Sequence, residues 1–359
     1  MIPKSPGGLG GLARFTCLAA TLPLAAGTYQ LDQPSADRWM YPANSTPGSR
    51  AQASTFSALP ASSGQDDRYG FFLMAFDTAA LIPPGLDPDN YQIESITLTA
   101  TIGQDGLFTY DPTADPVATY STPDSAATLA DADTGRPLEL HGAGFRNDYT
   151  AATYAETDPY GDASPGNRNA FPLGYDSSGS SRDVSNNVTD GFESIPWSVG
   201  TAPLTPGAAV PLDTVFTFEI DLTLPGVAGY LRQSLSDGKI WLALSSLHPA
   251  VQSGGEFVSY YTSNDFLHQL VGGYAPALAA QITINHPLTL TIDPQTTHRT
   301  LTWPQAAGFT YQLQTSSTLT HADWTTIHSR TATEPGTATF TDPDALDHRF
   351  YRLAILPAS

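Results

Sequence analysis

Residues 93–102 have the sequence IESITLTATI, which carries the clearest strand pattern in the chain. Its alternating residues fall into two sets, one with Ile93, Ser95 and Thr97 and the other with Glu94, Ile96, Leu98 and Ala100. Side chains of a β-strand point alternately to opposite faces, and β-branched residues are enriched in strands. The stretch therefore predicts a strand of a layered β structure.

Other runs of the same kind follow along the chain. The run GFFLMAFD at 70–77 is short, apolar and bounded by turn formers, which predicts a buried strand. Further strands are predicted at 215–224, 240–247, 256–262 and 278–284, and one short helix at 227–235. The chain has 30 Gly and 30 Pro, and only 14% of its residues are charged, a composition that fits many short strands and turns. The predicted fold class is all-β.

Residues 103–211 differ from the strands on either side. They are rich in Asp, Gly, Pro, Ser, Thr and Tyr, and their best strand candidate is RPLELH at 136–141. Long polar segments inside a domain are often functional. We expect a large polar insertion on one end or face of the sheet.

The C-terminal part has a strand pattern of its own. Strands are predicted at 288–292, 299–303, 309–314, 324–327 and 349–353, after the boundary Asn285-His286-Pro287. Even spacing and alternating faces are typical of a small β-sandwich, with Trp303 and Trp324 in its core. The predicted domains are therefore 27–285, a large β-sandwich, and 286–359, a small one.

The first 26 residues have the pattern of an export signal. Lys4 and Arg14 precede an apolar stretch, and Leu24-Ala25-Ala26 is suitable for cleavage. Pro23 interrupts a run that is already too short to span a membrane. Cleavage would remove Cys17, the only cysteine, so the mature chain would have no disulfide. We expect a secreted or cell-surface protein without membrane insertion after signal removal.

The strong negative charge restricts the possible partners. The net charge is −20, and it becomes −22 without Lys4 and Arg14, since residues 1–26 contain no acidic residue. Such a chain repels phosphate backbones and anionic lipids. Nucleic acid is therefore not expected as a partner, whereas a polysaccharide or a cell-envelope component is.

Motifs of the C-terminal segment are LTWP at 301–304, FTYQLQ at 309–314, Trp324, FTD at 340–342 and RFYRL at 349–353. This order of motifs resembles the fibronectin type III-like modules that close many secreted planctomycete and verrucomicrobial proteins. The resemblance implies an extracellular spacer or attachment module.

Motifs of the larger domain are DRWMYP at 37–42, FLMAFD at 72–77, IPPG at 82–85, FEIDL at 218–222, IWLAL at 240–244, SYYTSND at 259–265 and APAL at 275–278. Their order resembles the jelly-roll modules of the DNRLRE type, which are related to carbohydrate-binding modules of bacterial surface proteins. The nearest counterpart of the family's name motif is Asp66-Asp67-Arg68-Tyr69. The resemblance implies a jelly roll and, as in some relatives, polysaccharide binding.

The insertion holds the predicted ligand-binding residues. They are Tyr110, Tyr120, Tyr149, Tyr154, Tyr160, Tyr175 and Trp197. Aromatic rings stack on the C–H faces of sugars, while neighbouring polar groups bind the hydroxyls. The alternative is that these rings pack the insertion onto the sheet.

Calcium is the predicted cofactor, if any is bound. Asp131-Ala132-Asp133-Thr134-Gly135 begins like a calcium loop but lacks the glutamate of an EF-hand. The predicted ligands are Asp131, Asp133, Asp158, Asp162, Asp176 and Asp183, with Asp190 nearby. Asx-turns would explain the same residues without a metal.

No catalytic motif is present, and we predict no catalytic residue. Glu139 and His141 lie two residues apart on one strand face, but such pairs usually face solvent at a partly exposed edge. The sequence thus favours a non-catalytic carbohydrate-binding protein. A structural component of a cell-wall or matrix layer and a polysaccharide-degrading enzyme are the alternatives.

Overall fold

The computed structural model describes most of the chain after residue 26. The described ranges are 27–59, 65–120, 133–161, 167–176, 178–250, 258–292, 298–318, 323–343 and 349–357. These residues form two units that divide between Asn285 and His286. The predicted signal peptide lies outside the described residues.

The first unit is an antiparallel β-sandwich, as the alternating runs predict. Its strands are β1 (Gly27–Leu31), β2 (Ala36–Met40), β3 (Gln52–Thr55), β4 (Phe71–Asp77), β5 (Tyr91–Thr101), β6 (Leu138–Phe145), β7 (Ala170–Tyr175), β8 (Ser181–Asp183), β9 (Ser198–Val199), β10 (Val215–Glu219), β11 (Lys239–Ser246), β12 (Val258–Tyr261) and β13 (Ala277–Ile284). A four-stranded sheet has the order β1-β13-β5-β10. A seven-stranded sheet has the order β2-β4-β11-β6-β7-β8, with β9 paired to β6. Strands β3 and β12 pair with each other.

A hydrophobic core fills the space between the two sheets. It includes Leu98 of β5, Phe72 of β4 and Leu242 of β11. The structure corrects the expected facing of Ile93. A register shift between Gln281 and Ile282 of β13 marks a bulge opposite this part of β5, so Ile93 packs against the core on the same side as Ile96.

Strand β4 is buried on both faces, as its apolar sequence predicts. Phe72, Met74 and Phe76 face the core between the sheets, which we call the inner face of the seven-stranded sheet. Phe71 and Leu73 face the opposite side, the outer face, where they belong to a second hydrophobic cluster.

Residues 103–211 are partly integral to the sandwich. They supply β6, which pairs with β11 in the middle of the seven-stranded sheet, and the neighbouring β7, β8 and β9. Phe108, Leu140 and Trp197 from this segment lie in the inner core. Other parts of it cover the outer face, as the expected insertion would.

Helix α1 (Val227–Asp237) confirms the predicted helix. Val227, Leu231 and Leu235 recur at helical spacing and are buried, and Gly238 ends the helix at a φ of 80°. The sequence did not predict α2 (Phe266–Val271), which has only six residues and is capped by the Asp265 carboxylate. Within the described ranges, no helix is both long enough and apolar enough to cross a membrane.

The second unit consists of two three-stranded antiparallel sheets. Its strands are β14 (Thr289–Ile292), β15 (Arg299–Gln305), β16 (Phe309–Ser316), β17 (Thr325–Thr331), β18 (Gly336–Asp342) and β19 (Phe350–Pro357). Their orders are β14-β15-β18 and β17-β16-β19. Trp303 is a core residue, as predicted. The same prediction is wrong for Trp324, which is half-buried and lies outside the core cluster of this unit. Its ring packs under the Arg352 guanidinium, 4.5 Å from the ring centroid, which is a cation–π contact.

Candidate functional site

Residues 146–161 cover the outer face of the seven-stranded sheet. The ring of Tyr154 packs against that of Trp241 with centroids 5.7 Å apart, and Trp241 Nε1 donates a hydrogen bond to the Ala151 carbonyl at 2.8 Å. Tyr149 and Tyr160 pack at the margin of the same cluster. The cover turns what would be an open sheet face into a second core.

Three of the seven aromatic residues predicted to bind ligand are buried. Trp197 is 1% exposed, Tyr154 3% and Tyr110 4%. Tyr110 also accepts a hydrogen bond from the Ala202 N–H at 3.1 Å, which fixes its hydroxyl inside the protein. These rings pack the insertion onto the sandwich, and a ligand could reach them only if the core opened.

The other four predicted aromatic residues are half-buried, and they do not form one surface. Tyr120 lies under the Arg136 guanidinium, which is 5.1 Å from its ring centroid. Tyr175 stacks on Trp197 at 6.2 Å. Tyr149 packs against Tyr154 at 5.5 Å, whereas Tyr160 lies beside Arg168.

An ionic network is buried at the outer face. The Arg68 guanidinium forms an ion pair with Glu139, and its Nε also donates to Ser245 Oγ at 3.1 Å. Arg68 holds the loop after β8 as well, through the Val184 carbonyl at 3.1 Å and the side chain of Asn187. Burial, the largest single effect, acts to raise the pKa of Glu139, but the charge of Arg68 and the interactions with His141 together lower that pKa to about 2. Glu139 is therefore ionised and paired.

The expectation that Glu139 and His141 lie at a partly exposed edge is wrong. Glu139 is 4% exposed and His141 is fully buried, because β6 is a central strand whose outer face is covered. Burial also lowers the pKa of His141, so its ring is neutral at pH 7. The pair is inaccessible to a substrate, and we assign it a structural role.

The segment Asp66-Asp67-Arg68 fastens the covering loops through three consecutive side chains. Asp66 forms a buried ion pair with Arg168, whose Nη1 donates to the Arg68 carbonyl at 3.0 Å. The carboxylate of Asp67 accepts hydrogen bonds from Thr189 N at 2.7 Å and from Thr189 Oγ1 at 2.6 Å. These contacts give the segment a structural role.

A carboxyl pair joins the edge of the sheet to the covering loop. The Asp37 backbone N–H donates to Glu156 Oε1 at 3.1 Å, and Asp37 Oδ1 accepts from Ser263 Oγ at 3.0 Å. Burial and the Asp37 carboxylate raise the pKa of Glu156 to about 7. The pKa of Asp37 is also raised, chiefly by burial.

The predicted calcium ligands do not converge among the described residues. The carboxylate of Asp176 accepts hydrogen bonds from Ser178 N and Ser180 N, that of Asp158 from Ala155 N, and that of Asp183 from Ser185 N. Such local bonds are those of turns that Asp stabilises. Asp131 and Asp162 lie outside the described residues.

Asp133 is the one predicted ligand that lies in an acidic cluster of the described residues. Its carboxylate and those of Asp111 and Asp115 have oxygens within 4.8 Å of one another. Thr113 Oγ1 lies 2.8 Å from Asp111 Oδ1 and 2.7 Å from Asp133 Oδ2, so its single proton is shared between two of the three carboxylates. Calcium binding therefore stays a prediction.

The described surface of the first unit contains an aromatic patch that consists of Trp39, Tyr41, Phe56 and Tyr69. Trp39 stacks on Tyr41 at 4.8 Å, and Tyr41 meets Phe56 at 5.4 Å and Tyr69 at 5.5 Å. Phe56 is buried beneath, while the other three rings are half-buried, and Trp39 also packs against the inner core. Trp39, Tyr41 and Tyr69 are therefore each partly accessible to solvent.

Polar groups border the aromatic patch. The exposed Arg50 lies 5.9 Å from the ring centroid of Trp39, and its Nε donates to Asn44 Oδ1 at 3.1 Å. Asn44 is itself fixed, because its Nδ2 donates to the Trp39 carbonyl at 2.9 Å. The remaining guanidinium N–H groups of Arg50 can donate to an oxygen-rich ligand beside the rings.

Sequence reasoning missed this patch. Its rings come from three separate segments that meet only through the pairing of β2 with β4 and the bridge between Phe56 and Gly70. The signal that could have found it is the density of Trp, Tyr and Arg in residues 38–50.

No protein-family profile matches the chain, and a search of curated proteins found no match either.

Proposed function

We propose that the protein is an exported, non-catalytic carbohydrate-binding protein, whose aromatic patch binds a neutral polysaccharide. The observation that carries the proposal is the set of three half-buried rings in which Trp39 stacks on Tyr41 and Tyr41 meets Tyr69 edge to face. Sugar rings pack their C–H faces on such surfaces, and Arg50 supplies hydrogen bonds at the margin.

The charge of the chain favours a neutral glycan over an acidic one. The net charge of −20 opposes the approach of a polyanion, and the aromatic patch contains no lysine and is bordered by one exposed arginine. Stacking on aromatic rings, in contrast, does not depend on ligand charge.

The test is retention of the purified protein on insoluble neutral polysaccharides, with alginate as the acidic comparison. We expect retention by at least one neutral polysaccharide, and a loss of affinity of roughly fivefold or more, about 1 kcal/mol, in Tyr41→Ala and Tyr69→Ala. Phe266→Ala is the matched control, because Phe266 is a 70% exposed ring outside the patch.

Two results would overturn the proposal. Equal retention of wild type and both patch variants would show that the rings do not bind the glycan, and no retention on any polysaccharide would favour the matrix-scaffold alternative. Release of new reducing ends during incubation would show an enzyme instead.

A further inference from the structure

A groove lies between α2 and the outer face of the four-stranded sheet, apart from the aromatic patch. It has a volume of about 610 Å³, within the range of ligand pockets. Thr99, Thr101 and Ala277 form its floor, and the turn after α2 forms part of its wall. At Gly272 and Gly273 in that turn, an added Cβ would meet no atom within 4 Å, so the wall leaves open space.

His268 fixes one side of the groove. Its Nδ1 accepts hydrogen bonds from the N–H groups of Tyr274 at 3.3 Å and Ala275 at 3.0 Å. The proton of the neutral ring is therefore on Nε2, which donates to Gln33 Oε1 at 3.0 Å. This chain of bonds occupies the Gln33 carbonyl oxygen and sets the orientation of its amide.

Two hydroxyl groups of the groove direct their protons to acceptors of the protein. Ser263 Oγ donates its proton to Asp37 at 3.0 Å, so its lone pairs remain for a ligand. Thr99 Oγ1 likewise points its proton to the Ala277 carbonyl, at 3.5 Å. Asp32 adds an exposed carboxylate, and the described ion pairs do not include it.

The groove carries negative charge. Among its described lining residues there is a carboxylate but no lysine or arginine. A protonated primary amine has three N–H donors and no acceptor, which complements one carboxylate and two hydroxyl oxygens. A carboxylate ligand would be repelled by the carboxylate of Asp32.

We propose that this groove binds a protonated primary amine, and that an amino sugar is the form of ligand it accepts. The inference is independent of the aromatic patch, since the two surfaces share no residue. An amino-sugar unit also brings hydroxyl donors for the remaining acceptors.

The experiment is a titration of the full protein with glucosamine, followed by the NMR signals of the His268 ring. These signals are identified by their absence in His268→Gln, and they report on the groove rather than on the patch. Glucose, N-acetylglucosamine and glucuronate serve as comparisons, and an alkyl monoamine tests whether the sugar ring contributes. We expect glucosamine to bind at least about fivefold more tightly than glucose or N-acetylglucosamine, and glucuronate to bind most weakly.

Two variants test the named acceptors. Asp32→Asn should reduce the affinity for glucosamine to that for glucose, and Thr99→Val should weaken it by a smaller factor. Asp190→Asn is the matched control, because Asp190 is an exposed carboxylate outside the groove. Equal affinities for glucosamine and glucose, an unchanged affinity in Asp32→Asn, or no shift of the His268 signals with any amine would overturn the inference. Binding of the alkyl amine alone would refute the amino-sugar form.

Discussion

The two faces of the seven-stranded sheet are both buried, but different interactions bury them. The inner face packs apolar side chains such as Leu242 against the four-stranded sheet. The outer face holds three arginines, Arg38, Arg68 and Arg168, each at most 2% exposed and each hydrogen-bonded to another loop. Buried charges are costly unless they are paired. Apolar packing at the inner face is not directional, so it stabilises the sandwich without fixing the position of any one loop. The ion pairs and hydrogen bonds of the outer face are directional, and they fix where each covering loop lies.

The largest expected effect comes from removing the central arginine of the outer face. Arg68→Leu leaves the Glu139 carboxylate buried without its ion pair, and we expect a loss of about 3–5 kcal/mol in the free energy of unfolding. The measurement is urea-induced unfolding. Arg68→Leu/Glu139→Leu should recover much of this loss, because both charges of this ion pair are then absent.

The matched variant on the inner face is Leu242→Ala, with an expected loss of about 2–5 kcal/mol from the cavity it leaves. If the Arg68→Leu/Glu139→Leu protein were as unstable as Arg68→Leu, the ion pair would not be the origin of the loss.

Acid should lower the stability of the protein through His248, which is buried at the inner face. This ring packs against Phe108 at 5.3 Å in the inner core, and burial lowers its pKa to about 3. The unfolded state gains a proton below about pH 6.5 that the folded state does not, so stability is complete above that pH and falls as the pH falls toward 3. We expect His248 to account for a loss of about 3 kcal/mol between pH 7 and pH 4, measured by chemical unfolding as the difference between wild type and His248→Leu.

His248→Leu should reduce this pH dependence, whereas wild-type behaviour in the variant would contradict the assignment. The paired Glu139 adds its own loss only at lower pH, because its lowered pKa makes stability fall below about pH 4.5.

Glu156 should make the pH dependence of stability run in the opposite direction. The pKa of Glu156, about 7, lies above its ordinary value of 4.5. The contribution of Glu156 to the free energy of unfolding is therefore complete below about pH 4.5 and is lost as the pH rises through 7. After allowance for its partial exposure, we expect Glu156→Gln to be roughly 1–2 kcal/mol more stable than wild type at pH 8 and equal to it at pH 4. Thermal unfolding at both pH values measures this, with the exposed Glu219→Gln as control. Equal stability at pH 8 would mean that the carboxyl pair does not disfavour ionisation.

Calcium should have the smallest effect. If the cluster of Asp111, Asp115 and Asp133 binds it weakly, added calcium should stabilise the protein by about 1 kcal/mol or less. The measurement is the melting temperature with calcium and with chelator, and Asp133→Asn should abolish the difference. A melting temperature that is insensitive to both additions would contradict the calcium prediction.

The sequence predicts the strands well because each depends on its own residues. The apolar run of β4 and the helical spacing of Val227, Leu231 and Leu235 both lead to the observed elements. Ile93 was assigned to the wrong face because a bulge depends on the partner strand β13. Glu139 and His141 look like edge residues in sequence, and only the order of the sheet shows that β6 is central.

The candidate site was less predictable for the same physical reason. Trp39, Tyr41 and Tyr69 become neighbours through strand pairing, so no local sequence pattern predicts the patch that they form. The tyrosines of the insertion stand out in sequence because polar residues surround them, yet Tyr154 uses its ring to close a core. The density of aromatic residues in a segment therefore does not show which rings lie at the surface, because tertiary contacts decide that.

The distribution of tryptophan has a practical consequence for optical work on this chain. Of the five indoles, Trp197, Trp241 and Trp303 are at most 2% exposed, whereas Trp39 and Trp324 are half-buried, one in each unit. Trp39 belongs to the aromatic patch and is only half-buried, so it should dominate any change in fluorescence emission when the patch binds a sugar. In a Trp324→Phe protein, Trp39 would be the one half-buried indole that remains, so such a change could be assigned to the larger unit.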